Sequence, residues 1–178
     1  VLSLGATAYS QNTLGTAVTM LGYSRRKGLD AGHFKMKYTG WYPSIQFSAD
    51  INDDYRYGVK MEREGEKVKR KVERLSSPLV DLSALVYVPL DFSSHGWNRA
   101  FVPQMEWEFS NNGFYDTSRG DYKYLNTITS SLQFYVMRES ARSGIFPKWG
   151  IGGIARWRNA IDGGENFGSM ASVNLYGY

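Results

Sequence analysis

Cysteine is absent from the 178 residues. That excludes a disulfide framework and any cysteine-ligated metal, and it leaves the compartment open. Long apolar runs are absent too. No stretch approaches the roughly 18 consecutive apolar residues of a membrane helix, so a helical membrane protein is excluded. Histidine is scarce: His33 and His95 are the only two, and neither sits in a His-Glu-x-x-His or other metal-ligating spacing. No metal or other cofactor is expected. The net charge is only +4, with positive residues scattered along the chain, so nucleic acid is not an expected partner. No helix of useful length, fixed-period repeat, low-complexity segment or domain boundary is visible, which gives one all-β domain over residues 1-178. The chain opens inside an apparent strand, Val1-Leu2-Ser3-Leu4, and reads as a mature or truncated segment. The missing signal peptide therefore says nothing about export.

What is present is alternation, the side-chain repeat of a strand. Phe101, Pro103, Met105, Trp107 and Phe109 share one face, against Val102, Gln104, Glu106, Glu108 and Ser110 on the other. Val80, Leu82, Ala84, Val86, Val88, Leu90 and Phe92 repeat the pattern over about 13 residues, longer than the usual 5–6 of a soluble strand. Phe34 to Tyr38, Ile45 to Ile51, Ile128 to Val136, Trp149 to Trp157 and Phe167 to Leu175 alternate in the same way. Arg25 to Asp30, Asn52 to Tyr57, Ser93 to Asn98, Asn111 to Tyr122 and Ile161 to Asn166 read as connections. Pro89 and Pro103 fall inside apparent strands, where a bulge or a strand start would accommodate them. The charge run from Met61 to Ser77 reads as a solvated face, or as two strand ends beyond a membrane joined by a turn near Glu64-Gly65.

Aromatics make up 15% of the chain, with 13 Tyr, 5 Trp and 19 Gly beside them. Trp41, Tyr42, Trp97, Tyr122, Tyr124, Trp149 and Trp157 fall near predicted strand ends, where the girdles of a membrane barrel would place them. The expected fold is an antiparallel up-and-down transmembrane β-barrel of about ten strands, complete or part of a larger barrel. Its expected location is a bacterial outer membrane, with lipid as the partner. A soluble lipocalin-like barrel binding a small apolar ligand would also alternate, with its apolar face turned inward.

The polar faces carry like-charged pairs two residues apart: Lys35 and Lys37, Glu106 and Glu108, Arg156 and Arg158. Like charges on one strand face need opposite charges nearby. These six are the candidate lumen-facing charges, expected to form a salt-bridged interior that closes the pore. The alternative is ordinary solvent-facing charge.

Three short motifs add a family. Tyr38-Thr39-Gly40-Trp41-Tyr42-Pro43 precedes an alternating strand. Val88-Pro89-Leu90 leads to Gly96-Trp97-Asn98-Arg99, and Ile145-Phe146-Pro147-Lys148-Trp149-Gly150 follows later. Together they resemble the C-terminal barrel of large Bacteroidetes outer-membrane proteins that carry a TolB-like β-propeller upstream, over roughly Tyr9 to Tyr176. The resemblance implies an outer-membrane location and a periplasmic domain or partner anchored by the barrel. A more distant likeness is to assembly and surface-antigen barrels with an Arg-Gly-aromatic motif in the lumen. Arg119-Gly120-Asp121 lacks the aromatic, so that function is not carried over. The final strand departs from the usual barrel ending, because Tyr178 is out of phase with Val173 and Leu175.

No catalytic site emerges. Glu106 and Glu108 could approach a glycosidase separation of about 5–9 Å, but lumen-lining charge is the simpler reading. Ser94-His95 are sequence neighbours whose side chains diverge in a strand. Gly150-Ile151-Gly152-Gly153-Ile154 precedes no helix, and its glycines fit close strand packing or barrel curvature better than a phosphate cradle. A non-enzymatic barrel is expected, with a narrow transport pore as its variant.

Overall fold

The computed structural model describes residues 3–26, 28–64, 67–111, 124–138, 149–161 and 168–177, and every regular element among them is a strand. In chain order these are β1 (Ser3–Gln11), β2 (Ala17–Arg26), β3 (Leu29–Tyr38), β4 (Ser44–Ile51), β5 (Tyr57–Glu64) and β6 (Lys67–Arg74). They continue with β7 (Val80–Tyr87), β8 (Leu90–Asp91), β9 (Trp97–Ser110), β10 (Leu125–Arg138), β11 (Gly150–Ala160) and β12 (Ser169–Gly177). The main sheet is an antiparallel meander in the order β1-β2-β3-β4-β7-β9-β10-β11-β12, with β8 also paired to β9. β5 and β6 pair only with each other, as a separate two-stranded sheet. Each strand of the main sheet touches only its hydrogen-bonded neighbours, so the sheet is a single layer.

Turn chemistry sets the register. His95 and Gly96 both take positive φ, 52° and 75°, and Ser94 bridges to Trp97 across them. Positive φ at both central residues is the two-residue type I′ turn, whose twist suits a hairpin. β9 therefore begins at Trp97, inside the segment expected to be a connection. At the β2–β3 turn the strands also run further than expected, since Arg26 pairs with Leu29.

β7 and β8 are one strand interrupted, not two. Tyr87 pairs with Gln104, Val88 N–H donates to the Pro103 carbonyl at 3.0 Å, and Leu90 pairs with Phe101 in the same register. Pro103 has no N–H to return to Val88. Pro89 lacks the N–H that would point toward β4, but β4 pairs no further than Tyr87. The two prolines thus share one gap in the ladder, and no bulge is needed.

The charge run forms the β5–β6 hairpin, which leaves the sheet between β4 and β7. Asparagines close its base. Asn52 N–H donates to the Leu79 carbonyl at 2.8 Å, and its side-chain oxygen accepts from Leu79 N–H at 3.2 Å. Asn111 does the same for Val80, at 3.1 and 2.9 Å. The pairing of β4 with β7 therefore continues in register past the point where the excursion departs.

The expected closed barrel is not found. Among the described residues β1 and β12 are edges with no pairing to each other. The nine-strand path is odd, so both edges run in the same direction and cannot meet antiparallel.

Candidate functional site on the two faces of the sheet

The pairings join the strand faces predicted from sequence into two continuous surfaces. One row runs Ser10, Thr19, Met36, Phe47, Ala84, Trp107, Ile128, Asn159 and Ser169. The neighbouring rows on that face hold Leu21, Phe34, Leu82 and Phe109 on one side and Ile45, Val86, Met105 and Trp157 on the other.

The strands are tilted to these rows. The row through Ser10 lies seven residues into β1 and β3, four into β7, three into β10 and at the first residue of β12. A drift of about 24 Å over eight spacings, about 38 Å, is a tilt of about 32°. That is close to the roughly 35–45° of closed barrels.

The apolar face has defined limits along the strands. On β10 it runs from Ile128 to Val136, bounded by Asn126 at one end and Arg138 at the other. Eight steps of about 3.4 Å at that tilt give a band about 23 Å tall, near the ~25 Å apolar band of a membrane barrel. Arg99 and Arg138 mark one border, and the Arg25–Asp30 ion pair (3.6 Å) marks the other. Between these limits the described residues of this face include no charge. Aromatics cluster at both borders. Tyr38 packs edge-on to Trp41 at 5.3 Å and Trp97 to Trp149 at 5.4 Å, at the end where β1 finishes. Trp107 stacks on Phe109, which packs tilted against Tyr124, at the opposite end, and Trp107 donates its indole N–H to Asn126. Trp157 is not a border residue. It lies within the band opposite Ser130 and Ala171.

Burial is inverted relative to a soluble sheet. Thr127, Thr129 and Ser131 on the polar face are 3%, 7% and 7% exposed, whereas Met105, Leu132, Trp157 and Val173 on the apolar face are 46–68% exposed. The only buried hydrophobic residues described are Ala31 and Leu79. The polar side chains are covered by one another. Arg158 Nη2 contacts Glu108 Oε2 at 2.8 Å and Arg158 Nε donates to Thr129 Oγ1 at 3.0 Å. Thr127 donates to the same Glu108 oxygen at 3.4 Å.

All six candidate charges lie on the polar face. Lys35 and Glu108 share a row through Ser48 and Ser83, and Lys37 and Glu106 share the next through Gln46 and Leu85. Three strand spacings, about 14 Å along the sheet, separate the members of each row. Only Glu108 and Arg158 form an ion pair. Lys35, Lys37, Glu106 and Arg156 have no ion-pair partner among the described residues, so the expected salt-bridged network is present as a single pair.

Sequence reading missed a second cluster. His33 Nδ1 lies 2.8 Å from Asp50 and Nε2 3.8 Å from Asp53, beside a cavity of about 300 Å³ lined by Thr7, Gly22, Lys35 and Ser48. The His33–Asp50 contact follows from the β3–β4 register, which the loop 39–43 sets and alternation alone does not reveal. His33 has no nucleophile among its described partners. Three acidic or histidine groups capable of holding a metal are not gathered anywhere among the described residues. His95 is a turn residue. Arg119-Gly120-Asp121 and Tyr122 lie outside the described residues.

Gly152 and Gly153 have a structural role. A Cβ on Gly152 would meet the Tyr176 ring at 2.5 Å, and one on Gly153 would meet Leu175 at 2.6 Å. Their absent side chains let β12 residues lie flat across β11, the close packing expected of this glycine cluster.

The chain matches no family model, no curated protein and no solved structure. The described parts of the three short sequence motifs lie at one end of the sheet, around the β3–β4 connection, the Val88-Pro89 gap and Trp149.

Proposed function

We propose that the sheet is the wall of a transmembrane β-barrel in a bacterial outer membrane, non-enzymatic, anchoring a periplasmic domain or partner. The inverted burial carries this reading. Thr127, Thr129 and Ser131 on the polar face are buried while Leu132, Met105 and Trp157 on the opposite face are exposed, an arrangement that favours an apolar outer solvent. The area of the apolar face supports this reading over a water-facing one. A face about 38 Å wide and 23 Å tall is roughly 900 Å², above the ~300–600 Å² of the largest apolar patch on a typical soluble monomer. A lipocalin-like binder would need the opposite orientation, with Met105, Leu132 and Trp157 inward. The polar face, crowded by Arg158, Glu108 and their threonine partners, suits a narrow pore at most.

The test is partition. The protein is expressed with an export signal, the cells are fractionated, and the outer-membrane fraction is run on a gel with and without boiling. Recovery in that fraction with a heat-modifiable band is expected. Recovery as a soluble monomer without detergent would sink the proposal.

A further inference from the structure

Two features of the apolar face lie one above the other. The first is a groove of about 650 Å³ in the middle of the band, within the size range of ligand pockets. Its small residues, Ser130, Ala155 and Ala171, stand beside the large Met105, Leu132 and Trp157. In the ladder Ser130 lies opposite Met105 and Trp157, and Ala155 lies opposite Leu132. The second feature is a pair of arginines at the border where β1 finishes. Arg138 shares its strand face with Ser130, and Arg99 shares its own with Met105. Arg138 pairs with Trp97 and Val136 with Arg99, so the two arginines are diagonal neighbours about 7–8 Å apart. Both are exposed, and neither has an ion-pair partner among the described residues. Arg99 lies 5.7 Å from the centroid of the Trp97 ring, which packs edge-on to Trp149.

The tilt of the strands connects the two. At about 32°, a line down the membrane normal crosses one strand, toward β12, for every ~9 Å of depth. From Arg99 it passes Phe134 on β10 and reaches Ala155 on β11 about 18 Å below. One leaflet, counted with its headgroups, is about 20 Å deep, so a lipid tail that starts at Arg99 ends in the groove. Two like charges without a counter-charge at the headgroup level call for an anion, and the arginine fork matches phosphate. The tryptophans beside them are interfacial residues. The connections 12–16 and 39–43 and the turn at His95-Gly96 are short at this end, and the β5–β6 excursion leaves from the other. Short turns face the periplasm, and the leaflet there is phospholipid. Resting on the membrane-barrel reading, we propose that Arg99 and Arg138 hold the phosphate of one anionic phospholipid of the periplasmic leaflet, whose acyl chain descends over Phe134 and ends in the groove at Ala155.

The test uses lipids brominated near the end of the acyl chain, which quench tryptophans they touch. The protein is refolded into phosphatidylcholine vesicles, and brominated phosphatidylglycerol or brominated phosphatidylcholine is titrated in. The quenching that disappears in Trp157→Phe reports the groove. Half-maximal quenching is expected at about fivefold less brominated phosphatidylglycerol than brominated phosphatidylcholine, the preference that one surface arginine confers. The preference should vanish when Arg99→Gln is combined with Arg138→Gln. It should vanish equally in Ala155→Leu, which fills the groove at an exposed position. Heat-modifiability, scored for every variant, reports separately whether the barrel has folded. A heat-modifiable protein quenched equally by the two lipids would overturn the proposal and leave the barrel reading intact. A preference that survives loss of both arginines, or survives Ala155→Leu, would overturn it as well. Absence of the heat-modifiable band, with no quenching by either lipid, would overturn the barrel reading and the lipid site with it.

Discussion

Met105→Arg separates a lipid-facing sheet from a water-facing one by magnitude alone. Met105 is 54% exposed, lies between Val86 and Ser130, and sits near the middle of the apolar band. Arginine there costs nothing in water, because exposed substitutions away from special features usually stay within about 0.5 kcal/mol. At the midplane of a bilayer the same change costs about 2–4 kcal/mol, falling to about 0–1 near the interfaces. That is a shift of roughly 30- to 800-fold in the unfolding equilibrium. Ile151→Arg is the internal control, since Ile151 faces Val136, which in turn faces Arg99 at the natural border of charge. The assay is guanidinium unfolding of protein refolded into phospholipid vesicles, followed by tryptophan emission. Met105→Arg is expected to lose at least 1 kcal/mol more than Ile151→Arg. Equal losses, or a loss below about 0.5 kcal/mol for Met105→Arg, would refute the depth argument.

Arg158→Gln removes the contact with Glu108, but both groups are partly exposed, so a loss of about 1 kcal/mol is expected. A double-mutant cycle with Glu108→Gln should return most of it as coupling. Replacing residues 53–78 with Asn-Gly should leave the heat-modifiable band unchanged, because Asn52 and Leu79 are already paired in the β4–β7 register. Loss of the band would mean that the β5–β6 excursion holds the sheet together. Gly152→Val drives a branched side chain into the Tyr176 ring and should lower vesicle-refolded stability by about 1–3 kcal/mol. Tyr176→Ala in the same background should restore part of that loss.

Much of the sheet was legible because alternation is a local signal. The faces read from Phe101 to Phe109 and from Val80 to Leu90 are the faces observed, and the charge run holds the ends of two paired strands, with Glu64 opposite Lys67. The order of consecutive strands follows from short connections. Register does not, and what depends on it was hidden. The His33–Asp50 contact, the assembly of Glu108, Thr129 and Arg158, and the distance that keeps Lys35 from Glu108 all require knowing which residues stand opposite. The turn at His95-Gly96 is two residues long, shorter than the Ser93–Asn98 connection expected, because the turn-prone Ser94 and Asn98 are paired across strands. Closure was beyond reach of the sequence for a different reason. It depends on which strands stand in the main sheet, and the β5–β6 pair, which lies between β4 and β7 in chain order, leaves it as a separate sheet.

The most direct test of the central claim is a spin-label scan along β10. Single cysteines from Asn126 to Arg138, in a chain that has none of its own, are labelled in the vesicle-refolded protein. Their relaxation by oxygen and by a water-soluble nickel complex is then measured. Labels at Ile128, Ser130, Leu132, Phe134 and Val136 are expected to favour oxygen, and those at Thr127, Thr129, Ser131 and Gln133 are not. The oxygen preference should fade at Asn126 and Arg138. Uniform nickel accessibility on the Ile128–Val136 face would mean that this face meets water, and the membrane account would be wrong.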